Sequence, residues 1–392
     1  MEPTLTPFLL ALPWLGLLLF VLFVAKLPRE LPRGSAADGE QTPLVSVIVP
    51  ARNEALNIRT CVESLTSSAY PSFEVIVVDD RSEDDTAALV AEIPHQNARR
   101  LMVVEGEPLP SGWVGKPWAC WQGAAAAEGE LLLFTDADTT HGPDLLARAV
   151  AGLREERADL LTILGLQLME TFWERLVQPQ VFMTMLFRFP DFERTAANDR
   201  WRDAIANGQF ILMPRSAYDT VGGHQAVRDE IVEDLRLAQV VKKNGLRLRI
   251  RRAEDALATR MYRSLSELVR GWSKNILIGG LQSVPPLLRP LLPPLAFVGG
   301  VGLWLVPPAA LLASFAGVGG ASLMSWSVTV CALSVIVWIR FTARMGGPPA
   351  YGFLYPLGAA VGTWIFLRSW VRGRRVEWKG RQYEVRAESE WV

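Results

Sequence analysis

The sequence predicts an α/β fold, a doubly wound sheet that is mainly parallel, carried by apolar helices that cross a membrane near both ends of the chain. Three observations predict it. Continuous β-branched runs alternate with helix-patterned segments through the middle of the chain. Acidic and turn-forming residues collect at the ends of those runs, where doubly wound sheets bind ligands. Long stretches with almost no charge bracket the whole region. The chain has 392 residues, half of them hydrophobic, and a formal net charge of only −1, so bulk charge argues for no nucleic-acid partner.

The first element is "PFLLALPWLGLLLFVLFVAK", long enough to cross a hydrocarbon core of about 30 Å. Only Glu2 stands as a charge before it, and "KLPRELPR" follows where a cleavage site would need small residues, so residues 1–26 read as a retained anchor. Lys26, Arg29 and Arg33 lie on its C-terminal side and no Lys or Arg precedes it, which puts the middle of the chain in the cytoplasm. Residues 27–43, with "RGSAADGEQTP", read as a linker.

"LVSVIVP" is the first buried parallel strand, followed by a helix in which Leu56, Ile58, Val62 and Leu65 recur at near-helical spacing. "SFEVIVVDD" is the second strand, and "SEDDTAALVAEI" a second helix with Ser82 as N-cap. "RLMVVEG" is the third strand. After a loop and a small-residue helix in "GWVGKPWACWQGAAAAEG", "ELLLFTDAD" is the fourth. "IVEDLRLAQVVKKNG" reads as a helix with Glu233 and Asp234 in its first turn and Gly245 beyond its end. "TFWERLVQPQVFMTMLFRF" reads as core packing or as a membrane contact.

Residues 261–290 contain "YRSLSELVRGWSKNILIGG", with Leu265, Leu268, Val269, Trp272 and Ile276 on one face, the pattern of an interfacial helix. Residues 291–370 hold about three further apolar segments, and 371–392 a basic tail. Arg289, Arg340 and Arg344 agree with a cytoplasmic middle, but three full crossings would leave the basic tail outside. A segment that re-enters without crossing would remove the conflict. Cys61, Cys120 and Cys331 have no paired spacing, which fits a reducing compartment. His95, His141 and His224 are isolated and read as structural or exposed.

Strand one ends in Pro50-Ala51-Arg52-Asn53-Glu54, strand two in Asp79-Asp80 and strand four in Asp136-Ala137-Asp138. One such Asp is usually a turn former. Several on one rim repel each other unless a cation lies among them. There is no G-x-G-x-x-G after the first strand and no P-loop, so backbone amides are not the phosphate cradle. A hard divalent cation, Mg²⁺ or Mn²⁺, bound by one or two carboxylates and a diphosphate, would supply the missing charge.

These pieces are also familiar as a set. "VSVIVPARNEALNI", "VIVVDDRSEDDT", "GKPWACWQGAAAAEGELLLFTDADT", "NGQFILMPRSAYDTVGG" and "VEDLRLAQVVKKNG" occur in that order. Together they resemble family 2 glycosyltransferases with the nucleotide-sugar-binding GT-A fold, whose sheet is doubly wound and mixed. The resemblance covers Leu44 to Asn275, with residues 44–260 as the catalytic domain. "LPSGWVGKPWAC", the tail "VEWKGRQY" and the membrane segments narrow it to membrane-bound members that glycosylate polyisoprenoid lipids, such as carotenoid (chlorobactene-type) glucosyltransferases and hopanoid-associated relatives.

The resemblance implies site residues. Pro50, Ala51, Asn53 and Glu54 would line base and ribose, and Asp80 would contact the base. Asp136 would sit near the ribose and the metal, Asp138 would ligate the metal, and Lys116 would lie near the donor or remain a solvated loop lysine. Acids at a helix start complement its dipole without further purpose; the resemblance adds Asp234 as general base, with Glu233 beside it. Inverting transfer needs such a carboxylate to take the acceptor proton, and a metal-held nucleoside diphosphate leaves without a general acid. Processive relatives carry Gln-x-x-Arg-Trp where this chain has Glu267-Leu-Val-Arg270-Gly-Trp272, so Arg270 and Trp272 would reach the donor while polymer synthesis loses support.

The expectation is therefore transfer of a hexose, glucose from UDP-glucose, to a hydroxyl of a membrane lipid, in a multi-pass protein of the inner (cell) membrane with a cytoplasmic catalytic domain. A processive polysaccharide synthase would need more spans. A transporter with a nucleotide-binding domain would need ionisable residues inside its spans. A sugar-nucleotide pyrophosphorylase would need a Gly-rich loop with Arg in place of "PARNEA".

Overall fold

The β-branched run Val45–Ala51 (β1) forms the centre of a seven-stranded sheet, in a computed structural model that describes residues 6–33, 42–373 and 375–384. Phe73–Asp79 (β2) and Leu101–Glu105 (β3) lie to one side of it. Leu131–Phe134 (β4) lies to the other, followed outward by Ile211–Pro214, Leu160–Leu164 and Leu248–Arg252. In chain order Thr139–His141 is β5, Leu160–Leu164 β6, Leu166–Gln167 β7, Ile211–Pro214 β8, Leu248–Arg252 β9 and Leu257–Thr259 β10. The sheet order is β3-β2-β1-β4-β8-β6-β9, and β5-β10-β7 form a small second sheet.

β1 runs parallel to both neighbours, with Val47 opposite Val75 and Leu133. β8 alone runs antiparallel, to β4 and to β6, so the sheet is mixed. The strand order reverses between β1 and β4, and the carboxyl ends of these two strands border the crevice where such sheets take ligands.

Alternation along β1 sorts its side chains onto two cores. Val45, Val47 and Val49 pack with Ile58, Cys61, Val62 and Leu65 of one helix and Leu145, Ala149 and Val150 of another. Ile48 faces the opposite way, into a core shared with Cys120, Ala124, Leu237, Ala238 and Val241. Helices therefore cover both faces, which is why β1 is apolar from Val47 to Ala51. The N-terminal edge of the sheet keeps its one buried acid satisfied: Glu74 accepts from Ser46, from Arg100 and from the Glu128 amide.

The described residues form two compact units. The sheet unit holds residues 27–168, 192–261 and the C-terminal tail; the helical unit holds the N-terminal helix, 169–191 and 262–373. The expected linker core at 34–41 and tail residues 385–392 lie outside the described residues.

Four details differ from the sequence reading. The stretch 169–191 groups with the apolar helices, because its helix Phe172–Arg188 packs against Leu265–Gln282 and Pro349–Arg372, and not with the sheet. Thr171 caps it, with Glu174 closing a reciprocal capping box. The tail belongs to the sheet unit. Leu56 stands before the helix Ile58–Thr66 and is 80% exposed. Ser82 caps no helix: its hydroxyl accepts the Asn53 amide at 3.0 Å, and the following helix begins only at Thr86.

In the helical unit, Thr6–Val24, Leu292–Phe315, Gly320–Arg344 and Pro349–Arg372 are each long and apolar enough to cross a membrane. Aromatic and small residues knit them. Trp14 meets Trp326 edge-on at 5.8 Å and donates to the Leu303 carbonyl at 2.9 Å. Trp304 meets Trp338 at 5.0 Å. Gly358 lets two helices touch, since a Cβ there would lie 2.7 Å from Gln180 and 3.0 Å from the Leu176 carbonyl.

Candidate active site

Two corners of the sheet unit hold the site, one beyond β1 and β2, the other beyond β4. At the first, the chain turns sharply after each strand, with Asn53 at φ 52° and Arg81 at φ 58°, both left-handed. The turns lock together. Asp80 donates its amide to the Ala51 carbonyl at 2.8 Å, and Asn53 Oδ1 accepts the Glu83 amide at 2.8 Å. The Glu54 amide donates to Thr86 at 2.8 Å. Pro50, Ala51, Asn53, Glu54 and Asp80 thus come together at one rim. Asp80 is only 1% exposed; burial pushes its carboxyl up, against the opposing pull of Arg381 and Arg52.

At the second corner, Thr135 fixes the end of β4. Its amide donates to the Ile48 carbonyl at 3.1 Å and its hydroxyl to the Gln209 carbonyl at 2.7 Å. Thr139 folds back onto the Asp136 carbonyl at 2.7 Å, and Thr259 holds the Asp138 carbonyl at 3.2 Å. Ala137 points inward, buried, so the two aspartates flank it on a tight turn.

The helix Gly115–Ala126 carries Lys116 in its first turn, not in a loop. Its Nζ lies 2.6 Å from Asp136 Oδ1 and 2.7 Å from Glu233 Oε1. One ammonium therefore ties the Asp-Ala-Asp turn to the start of the helix Glu233–Lys243. Burial opposes its charge, but Asp136, Glu233 and Asp234 overcome this and hold it well above the usual lysine range. The solvated-lysine alternative falls away.

Asp234 stands next to this pair. Its Oδ2 accepts the Gly208 amide at 2.8 Å and its Oδ1 the Leu235 amide at 2.7 Å. Burial and the neighbouring Glu233 raise its carboxyl to about 6, despite Lys116 and the two amides. Asp138 is raised to about 7 by burial, Asp136 and Glu54. Its Oδ1 is shut from solvent and has no hydrogen-bond partner among the described residues. A Cβ at Gly208 would lie 2.8 Å from Lys116 Nζ and 3.3 Å from Asp234 Oδ2, so a side chain there would displace the ammonium.

These atoms suit a divalent cation. A single ammonium faces Asp136, Asp138, Glu233 and Asp234, and a diphosphate would bring further negative charge. Asp136 already pairs with Lys116, so Asp138 offers the unspent oxygen. Among the described residues no group of three or more His, Cys, Asp and Glu side chains is placed to hold a metal ion by itself. An open set of this kind fits Mg²⁺ or Mn²⁺, which complete their shells with phosphate oxygens and water.

Arg270 and Trp272, expected at the donor, lie on the helix Leu265–Gln282, which belongs to the helical unit. Arg270 is exposed there, and Trp272 is buried with Phe182 and Tyr262 each at 5.8 Å. His141 and His224 are structural: burial lowers both to about 3, with His141 on Thr135 and Thr139 and His224 on Tyr218.

Three residues at the site escaped sequence reasoning. Gly208 was visible only as part of "NGQF". Lys379 and Arg381 lie in "VEWKGRQY", where Gly380 is a turn signal. Arg381 NH1 and NH2 donate to Asp80 Oδ2 and Oδ1 at 2.6 and 3.1 Å.

Comparison with known proteins agrees with this geometry. Residues 46–222 match the model of glycosyl transferase family 2. The chain is 24% identical to a 4,4'-diaponeurosporenoate glycosyltransferase of Staphylococcus haemolyticus, over 89% of this chain and 91% of that one. It is 26% identical to the enzyme of the same name from Staphylococcus aureus, over 88% and 89%. Its fold is similar to that of the mannosyltransferase PcManGT from Pyrobaculum calidifontis, solved with GDP-Man and Mn²⁺, at a TM-score of 0.53 and 21% identity over 94% and 96% of the two chains. The mixed sheet is a GT-A fold, and the chain is a glycosyltransferase whose residues 46–222 match the family 2 model.

Proposed function

We propose that the protein transfers glucose from UDP-glucose, with inversion and with Mg²⁺ or Mn²⁺, to a hydroxyl group of a membrane lipid of the carotenoid or related isoprenoid class. The observation that carries this reading is the single ammonium of Lys116 joining Asp136 to Glu233, which sets the Asp-Ala-Asp turn and Asp234 around one point.

Bound at Asp138, the cation would neutralise the leaving diphosphate. The chain's own residues do the rest. The β1–β2 corner receives the nucleotide, with Asp80 and Glu54 as its acceptors. Lys116 orients Asp136 and holds the acidic helix start in place. Asp234, at about 6, is ionised at neutral pH and still basic enough to take the acceptor's proton, while two backbone amides fix its direction. A carboxylate acceptor would arrive deprotonated and need no such base, which favours a hydroxyl. The named relatives and the four apolar helices support an acceptor dissolved in the bilayer.

The membrane arrangement follows from connectivity. Lys and Arg beside the first span favour a cytoplasmic sheet unit, and the tail belongs to that same unit. A chain that leaves and returns to one side makes an even number of crossings. On this reading the three C-terminal candidates would not all cross, which would remove the conflict posed by the basic tail. Cysteine-labelling of residues 316–319, 346–348 and Gln382 from each side tests the count; a tail labelled from the outside shows three crossings and would refute it.

The reaction is tested by incubating membranes with labelled UDP-glucose and Mn²⁺ and extracting lipid. Wild type labels a lipid and Asp234→Asn does not; equal labelling by both sinks the assignment of the base.

A further inference from the structure

After the last apolar helix the tail folds back as a hairpin, Arg375–Trp378 (β11) paired with Arg381–Glu384 (β12). Trp378 pairs with Arg381, so only Lys379 and Gly380 form the turn, at φ 48° and 80°. Such two-residue turns favour Asn-Gly or Asp-Gly; lysine is a costly choice at the first position. The cost is met by contacts. Lys379 Nζ donates to the Asn53 carbonyl at 3.0 Å and lies 2.9 Å from Glu54 Oε1. Its carbonyl accepts Arg52 Nε at 3.1 Å. Arg381 places both guanidinium nitrogens on the buried carboxylate of Asp80. Of five non-glycine residues with left-handed backbone among the described residues, Asn53, Arg81 and Lys379 meet at this corner. Backbone strain gathered at one place marks a position held for a purpose.

We propose that this hairpin is a wall of the donor pocket, with Arg381 and Lys379 as positioning residues that hold Asp80 and Glu54 ready for the nucleotide. The inference rests on the reading that the β1–β2 corner binds the donor's nucleoside. A uracil ring offers an imide N–H, which needs an acceptor. An ionised carboxylate has about four acceptor positions, and the guanidinium fork uses two, leaving room for the base. Without Arg381, burial and the adjacent Asp79 favour protonated Asp80, which presents an O–H where the base needs an acceptor. Lys379 holds the Glu54 carboxylate in place at 2.9 Å and stiffens the Asn53 turn.

The test uses the full chain in detergent. UDP is titrated calorimetrically in the presence of Mn²⁺, and KM and kcat for UDP-glucose are measured alongside. Arg381→Ala raises the UDP Kd and the KM by about tenfold or more while kcat changes little, and Arg381→Lys recovers part of the loss. Lys379→Ala acts in the same direction by a few-fold. Arg381→Ala added to Asp80→Asn costs almost nothing further, because both act through one contact. Unchanged UDP affinity in both alanine variants, tighter affinity in either, or a kcat loss at constant KM overturns the proposal while leaving the donor reading intact. A wild-type protein that binds UDP in no detectable amount overturns both.

Discussion

Replacing Lys116 by methionine should move the acid limb of the pH–rate profile upward. The Cβ position of Gly208 lies 2.8 Å from Lys116 Nζ and 3.3 Å from Asp234 Oδ2, which puts those two atoms within about 6 Å of each other. At an effective dielectric of about 20, two unit charges at that separation attract by roughly 3 kcal/mol, equivalent to about two pKa units. Screening at the partly exposed ammonium trims this to about one to two units. Asp234 must be ionised to act, so activity falls below its pKa, which stands at about 6. Removing the ammonium favours the protonated carboxyl, raising the limb to about 7–8. The assay is transfer of label from UDP-glucose into extractable lipid between pH 5 and 9, scored as kcat/KM. Lys116→Arg keeps the charge and should keep the limb near 6. A Lys116→Met profile whose acid limb stays where wild type has it refutes the electrostatic coupling, whatever happens to the plateau.

Asp138→Asn should abolish Mn²⁺ binding measured calorimetrically with UDP present, and lower transfer by roughly 10²-fold or more, with an unchanged thermal midpoint. Gly208→Ala forces apart Lys116 and Asp234 and should cost roughly 10²-fold in kcat, as ångström-scale misplacement does, while UDP affinity holds. Arg148 is 3% exposed and donates to the Leu31 and Pro32 carbonyls and to Asp255. Arg148→Met should lower stability by roughly 2–4 kcal/mol, read as a drop of several degrees in the melting midpoint, without altering the pH profile.

Several parts of the protein were legible from local pattern. β1, β2 and β4 are buried on both faces, so their residues form mainly apolar runs, interrupted only by Ser46 and Glu74, and the carboxylates that follow them stand out by contrast. The apolar helices were legible for the same reason: their composition answers to the solvent around them. The five ordered stretches from "VSVIVPARNEALNI" to "VEDLRLAQVVKKNG" carried the family likeness.

Tertiary structure alone decided how the charges are shared. From the sequence Lys116 could be a solvated loop residue; only the approach of two distant carboxylates makes it the centre of the site. Glu233 and Asp234 carry an ordinary helix-start pattern, and it is Gly208, from another element, that gives Asp234 its direction. Arg381 meets Asp80 across 301 positions of chain, through a hairpin too short to be recognised by periodicity. Strands and spans are fixed by neighbours within a dozen residues. An ion pair depends on which chain ends the folded sheet brings to the same rim, and no local pattern records that.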